Sequence, residues 1–572
     1  MKHSHFVHFF LGFVLLSVSF VLFSCKKDNP APAPVSPGED PGEVVEGFEH
    51  LTAVSVVLKG KFQDASVTEY GFLYEDGLTG IMSEVVAQGA DEQHHYSLAL
   101  TGLKPAVPYS FQSYYRLDGK RYVGERMTFT TKELSTLLET LAASGIKESA
   151  ARLNGRLDEG LPYAATTLEY GFKWGKSDAS LDNKIVCDKL EKNAFSALLS
   201  GLFPSSRYYF KAYVNVDGRE YEGEVKTFTT DDAQDLSSSA TANCYIVSSA
   251  GGYKFKTVQG NSSTSVGGVS QAEVLWESFG TSTVPSQGDL ISAVSYSGDY
   301  ITFITPTPMK NGNAVIAAKD EGGNILWSWH IWLCDGYNPA LVGFSQAYNN
   351  DAGTMMDRNL GATSAEPGAG SLGLLYQWGR KDPFLGGDGA SPTTPARSTL
   401  AWPLPVASDN QNGTIEYAVA HPTTFITCIT ANYDWYYTEG SSTEDTRWAW
   451  TKTKYDPCPL GWKVPLGGIT GVWSTAAGNH EEISGYPFDN TNKGVNFFGK
   501  FGAASTIWYP ASGCLGFADG SLDKVGSVGY WWSCVTDFRY AYILTIKDTG
   551  DVRPSELIDR ASGFSVRCVQ EE

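Results

Sequence analysis

Six histidines lie beyond residue 25, at positions 50, 94, 95, 330, 421 and 480. None stands in the His-x-x-x-His or His-Glu-x-x-His spacing that holds zinc on one helix face. No Gly-x-Ser-x-Gly nucleophile turn, glycine-rich phosphate loop or catalytic carboxylate pair is present. Eight cysteines lie beyond residue 25, at 187, 244, 334, 428, 458, 514, 534 and 568, without a Cys-x-x-Cys pair. Glu366-Pro367-Gly368 offers no second side-chain oxygen to a calcium ion. Arg358, Arg380 and Asp382 invite a catalytic role. They sit among Trp and Tyr, however, where charged groups serve as hydrogen-bonded struts between loops. Asp357-Arg358-Asn359 reads in the same way, as a turn held by side-chain bonds. The expectation is a non-enzymatic chain with no cofactor and no metal.

The elements that carry these residues must be mostly strands. Aromatics make up 13% of the 572 residues and glycines number 60, a composition of strands and tight turns. The length predicts several domains. A formal charge of −20 argues against a nucleic-acid partner, which needs clustered Lys and Arg. At the N-terminus, an apolar run from Phe6 to Phe23 ends in Leu22-Phe23-Ser24-Cys25. This ending resembles the lipobox of bacterial lipoproteins. The resemblance implies a signal peptide over 1–24, acylation of Cys25 and a lipid anchor in a membrane. Residues 25–47, rich in Pro, Gly and acid, read as a semi-stiff tether. Lys26-Lys27-Asp28 partly matches the charged stretch linked to outward transport in Bacteroidota lipoproteins. That match implies the outer membrane and the cell surface.

A repeat organises residues 48–231. Glu69-Tyr70-Gly71-Phe72, Leu100-Thr101-Gly102-Leu103-Lys104-Pro105, Asp118-Gly119 and Thr128-Phe129-Thr130-Thr131 return about a hundred residues later. The second copies are Glu169-Tyr170-Gly171-Phe172, Leu199-Ser200-Gly201-Leu202-Phe203-Pro204, Asp217-Gly218 and Thr227-Phe228-Thr229-Thr230. Tyr209, Lys211, Tyr213 and Asn215 alternate with Phe210, Ala212, Val214 and Val216, the period of a two-faced strand. Asp217-Gly218 is then a type I′ hairpin turn. The copies resemble fibronectin type III-like modules, which implies β-sandwiches over 48–132 and 133–231 acting mainly as spacers. Residues 232–347 form a further β-rich segment. Within it, Trp327, Trp329 and Trp332 are read as one aromatic face with a slip near His330, part of a core shared with the next domain.

Residues 348–572 carry Met356-Asp357-Arg358-Asn359-Leu360-Gly361, Leu375-Tyr376-Gln377-Trp378-Gly379-Arg380, Tyr455-Asp456-Pro457-Cys458, Trp508-Tyr509-Pro510, Gly529-Tyr530-Trp531-Trp532-Ser533 and Gly563-Phe564-Ser565-Val566-Arg567-Cys568. In this order they resemble the Fibrobacter-type major paralogous domain. That resemblance implies a C-terminal C-type lectin-like α+β domain in a mainly β, multidomain chain. It also implies a Cys458–Cys568 bridge, with Cys514–Cys534 and Cys244–Cys334 left as further possibilities and Cys187 as a buried thiol. Some lectin-like folds are cysteine-dependent oxidases, but Cys458 lies beside prolines in a motif that reads as structural.

The stretch from 530 to 560 mixes acid, base, aromatic and aliphatic residues with little order, which suits a contact surface. Trp532, Thr536, Asp537, Phe538, Arg539, Tyr540, Tyr542 and Lys547 are the expected ligand contacts. The functional expectation is a cell-surface adhesin for an unknown protein or glycan, with pilus-tip placement and diversification of 530–560 as extensions. The alternative is a glycan-capture lipoprotein serving a polysaccharide uptake system.

Overall fold

The computed structural model describes residues 45–389, 391–429, 433–439, 443–497 and 507–572. Cys25, the apolar run before it and nearly all of the tether lie outside these residues. The described chain is mainly β, arranged in many sheets with only short helices. It divides into two compact units. The described residues up to Phe48, with 58–98 and 108–129, make one; 49–57, 99–107 and 130–572 make the other.

The first repeat contains a sheet ordered Met82–Val86, Glu69–Asp76, Pro108–Leu117, Lys120–Val123, with Met127–Thr130 also on Pro108–Leu117. The second repeat reproduces that order with Asn183–Cys187, Leu168–Gly175, Arg207–Val216, Arg219–Glu222 and Lys226–Thr229, over a three-stranded sheet of Ala194–Ser200, Ala150–Leu157 and Leu138–Ser144. The period of two is realised: Phe210, Ala212, Val214 and Val216 enter a core with Leu153, Phe195 and Leu199. Both Asp-Gly turns carry positive φ at each central residue, 49° and 75° at Asp118-Gly119 and 48° and 88° at Asp217-Gly218. That is the backbone a tight hairpin needs.

The Ile325–Leu333 strand sits inside a sheet ordered Cys244–Val247, Ile325–Leu333, Gly312–Lys319, Gln271–Ser278. Its expected slip near His330 is corrected: the strand runs unbroken through His330, and the register shift lies at its start, by Lys319. Trp327 and Trp329 therefore face one core, with Phe255 and Phe303, while Trp332 faces another, with Tyr376 and Trp378. The misreading has a physical cause. Both faces are buried, so no polar residue marks a solvent side. Because Trp332, Cys244 and Trp276 pack with Trp378, Trp448 and Trp532, residues 232–347 and 348–572 share one core. Asn243 ties them further: its Nδ2 donates to the carbonyls of Lys454 and Asp456 at 2.8 and 2.9 Å, and its Oδ1 accepts from Trp327 Nε1.

The C-terminal region is built on a sheet ordered Leu375–Gln377, Gly563–Ser565, Ser512–Leu515, Val528–Asp537, Tyr540–Lys547, Val552–Asp559, with Leu522–Val525 attached to Ser512–Leu515. Asn359 is its polar centre. Its buried Oδ1 accepts from Trp531 Nε1 at 2.8 Å and from Arg567 Nε and Nη2 at 3.2 and 3.1 Å, and its Nδ2 donates to Leu372 O. The separated motifs thus meet as one buried network, which a core needs when it encloses polar groups. Cys458 and Cys568 are joined, with a sequence separation of 110. The two other suggested bridges are corrected. Cys244, Cys334, Cys514 and Cys534 are buried free thiols, as is Cys187.

Candidate binding surface

The charged residues of the catalytic reading are struts. Arg358 makes a two-pronged pair with Asp357 and lies 4.0 Å over the Tyr337 ring. Arg380 is buried and donates to Gln377 Oε1 and Thr424 O, each at 2.9 Å. Asp382 accepts from Ser328 Oγ at 2.6 Å and from Lys381 Nζ at 2.7 Å. Burial lowers the Lys381 ammonium from its ordinary range. Ser328, Lys381 and Asp382 are all buried. Their chemistry is to pin the Ile325–Leu333 strand to the C-terminal region.

The expected contact stretch divides in two. Trp532 is corrected: it is fully buried, and its Nε1 donates to Tyr376 O at 2.7 Å. Ile543, Leu544, Thr545 and Ile546 are core as well. Lys547 pairs with Val528 at the opposite end of the strand from Tyr540, about 23 Å away at strand rise. Sequence adjacency to the exposed turn concealed these separations.

What remains outside is the tip of the hairpin formed by Val528–Asp537 and Tyr540–Lys547. One face of Tyr540–Lys547 begins under the short helix Val472–Ala476, where Leu544 and Ile546 pack with Trp473 and Trp531. Toward the tip Gly467-Gly468 lie against the same face. A Cβ on Gly467 would lie 2.1 Å from Ser533 Oγ and 2.8 Å from Tyr542 Cβ, so only glycine allows this approach. Beyond it Tyr542 and then Tyr540 emerge half-exposed. Opposite Tyr542, the partner strand bulges: Trp532 pairs with Ile543 and Thr536 with Ala541. Cys534 N leaves the ladder for Pro465 O at 2.9 Å, and Ser533 Oγ donates to Tyr542 O at 2.7 Å. Such bulges re-aim side chains.

Register places Asp537 opposite Tyr540 and Tyr540 opposite Asp559, one row across three strands. Leu557, 38% exposed, lies opposite Tyr542 on the same face. Tyr540 stacks on Tyr433 at 5.5 Å and 26°. Thr536 pairs with Ala541 and belongs to the other face. The turn residue Phe538 is 54% exposed at a φ of 56°, a conformation costly for a bulky side chain, with the Arg539 guanidinium 4.9 Å over its ring. Strain of this kind concentrates at contact sites.

The tip is held from behind by Arg560, which is fully buried. It donates to the carbonyls of Phe538 and Tyr540 and pairs with Asp445 at 2.6 Å and Asp434 at 3.4 Å. Arg447 shares Asp434, and the guanidiniums of Arg560 and Arg447 lie 4.8 and 4.9 Å from the Trp378 ring. Sequence reasoning missed Tyr433 and left Asp559 out of the contact set. Nothing local marks either, since only the fold brings them to the tip. A separate cleft, lined by Ser237, Ser239, Thr241, Lys256, Lys452 and Glu571 among others, has no aromatic lining, and Lys452 is paired with Glu571 at 3.3 Å.

No family model matches the chain, and no curated protein matches it. Among solved structures, a two-domain fibronectin type III segment of chicken tenascin aligns over 33% of this chain and 98% of its own. Its identity is 15% and its TM-score 0.16. The sensor domain of the anti-sigma factor RsgI4 of Pseudobacteroides cellulosolvens covers 17% of this chain and 76% of its own, at 18% identity and TM-score 0.14. The chain is thus weakly similar to fibronectin type III domains, and scores this low carry no argument about function.

Proposed function

We propose that this chain is a non-enzymatic cell-surface lipoprotein. In this reading it is anchored to the outer membrane through Cys25, spaced by two fibronectin type III-like modules and acts as an adhesin. The C-terminal region, read as a lectin-like domain of the Fibrobacter-type paralogous family, presents the 537–542 hairpin tip to a ligand, alone or at the end of a pilus. One observation carries the reading: Phe538, Tyr540 and Tyr542 stand exposed or half-exposed on a rigidly braced tip. Aromatic residues on a rigid support are the usual anchors of interfaces, because they bury area at low entropic cost.

Attachment of cells displaying the full chain to a panel of immobilised cells and matrices tests this. Replacing Phe538, Tyr540 and Tyr542 together with serine should abolish attachment while the surface level of the protein stays constant. Undiminished attachment would remove the tip from the function.

A further inference from the structure

Asp537, Tyr540 and Asp559 form one cross-strand row on the outer face of the hairpin. Adjacent strands lie about 4.8 Å apart, so the carboxylates flank the tyrosine with about 10 Å between their strands. The other acids near the tip are engaged: Asp434 and Asp445 bind Arg560, Asp434 and Glu444 bind Arg447, and Glu556 binds Arg553. Among the described residues no cation pairs with Asp537 or Asp559, and the Asp559 carboxylate accepts from its own backbone N–H. Asp559 is half-buried, and the lost hydration pushes its carboxyl above the ordinary range. A desolvated carboxylate beside an aromatic face is favourable for a group that brings positive charge and tolerates stacking. A neutral sugar would leave that charge uncompensated.

We propose that the Asp537–Tyr540–Asp559 row receives an arginine or lysine side chain of a basic protein segment, so that the ligand of the adhesin is a cationic protein surface. This rests on the adhesin reading and names its ligand class. The cation lies over Tyr540 between the two carboxylates, while Phe538 and Leu557, exposed on either side, take the apolar flanks of the same segment. The chain's formal charge of −20 adds long-range attraction to such a partner.

A fluorescent Arg-Gly-Arg-Gly-Arg-Gly peptide, its Gln-for-Arg counterpart and a panel of neutral oligosaccharides are titrated against the full chain. Because the whole molecule is acidic, the controls decide. Asp537→Asn with Asp559→Asn should weaken the arginine peptide about tenfold, the sum expected for two part-exposed ion pairs. Tyr540→Ala should weaken it several-fold. Asp548→Asn with Asp551→Asn, at the far end of the hairpin, should stay within about twofold, with thermal midpoints unchanged in all variants. Equal loss in both double variants means a diffuse field and overturns the inference. So does selective binding of a neutral oligosaccharide that ignores the Asp537/Asp559 exchange. The attachment assay separates this from the parent reading. If the triple serine variant loses attachment and the double Asn variant keeps it, the tip is the docking surface but its ligand is not cationic. If the triple variant attaches normally, the parent reading itself fails.

Discussion

His330 should make the shared core acid-labile. Its ring is fully buried between the Ile325–Leu333 strand and the C-terminal region. Asn313 commits its Nδ2 to Gly361 O at 2.9 Å, so its Oδ1 accepts and His330 Nε2 carries the hydrogen at 2.9 Å. His330 Nδ1 is then the acceptor, facing the Tyr376 hydroxyl at 3.5 Å. Adding a proton there places an unpaired charge in an apolar site, and burial depresses the ring from 6.5 to about 3. A histidine depressed on folding stabilises fully above its unfolded pKa, and that contribution is lost as pH falls toward the folded value. The loss is about 2 kcal/mol at pH 5 and about 3 kcal/mol at pH 4. Against a total stability of about 5–15 kcal/mol this is large. His330→Gln keeps a donor for Asn313 Oδ1 and does not titrate. Urea unfolding followed by tryptophan fluorescence suits the site, because Trp332 stacks on the ring at 6.5 Å. The stability of the wild type minus that of the variant should fall by about 2 kcal/mol between pH 7.5 and 5, other groups cancelling in the difference. A difference flat with pH would refute the reasoning, as would an imidazole resonance titrating near 6.

Asp456 should show the opposite slope. Burial pushes its carboxyl up to about 6, so it stabilises below its unfolded pKa and that contribution is lost as pH rises through 6. Relative to Asp456→Asn, the wild type should lose on the order of 2 kcal/mol between pH 4 and 7, read by the same urea series. Removing the bridge by Cys458→Ala with Cys568→Ala should cost about 2–5 kcal/mol, seen as a lower thermal midpoint under oxidising conditions. Asn359→Leu strands the Trp531 indole and part of the Arg567 guanidinium in the core, for a loss of about 3–5 kcal/mol in denaturant titration. Arg560→Ala should cost a similar amount by leaving the tip carbonyls unbraced, whereas serine at Asp537, Phe538, Arg539 or Tyr540 should each change stability by less than about 1 kcal/mol.

The two repeats were legible because their cues are local. An Asp-Gly pair between alternating strands specifies a tight turn without reference to the rest of the chain, and Asp118 and Asp217 adopt it. The buried centre was harder. The Ile325–Leu333 strand is buried on both faces, so the polar Ser328 and His330 that alternate with its indoles mark no solvent side, and the indoles were assigned to a single face. Trp532 was misplaced for a related reason: well before the strand end it is already core, and only its partner Ile543 reveals which way it points. Asp537–Tyr540 lie exposed or half-exposed, as a contact role requires, whereas Ile543–Ile546 are buried where the strands pass beneath Val472–Ala476. Tyr433 belongs to a distant part of the chain and announces nothing until Ala561 N binds its carbonyl.

The mode of bracing bears on the proposed use of the tip as a contact surface. Arg560 reaches the turn through the carbonyls of Phe538 and Tyr540, and every residue supplies a carbonyl. The turn is therefore held without use of the Phe538 side chain, and at its φ of 56° glycine or asparagine would fit more easily than phenylalanine. Under the proposed function, contact with a ligand would be the benefit that offsets a strained aromatic at this position. The buried motifs have the opposite character. Trp378, Trp531, Arg447, Arg560 and Arg567 spend their side chains on one another, on Asn359 and on Asp434, so each substitution there leaves a partner unsatisfied. A scaffold that braces its tip through the backbone and its interior through side chains separates stability from recognition, which is the physical condition for changing ligand without changing fold.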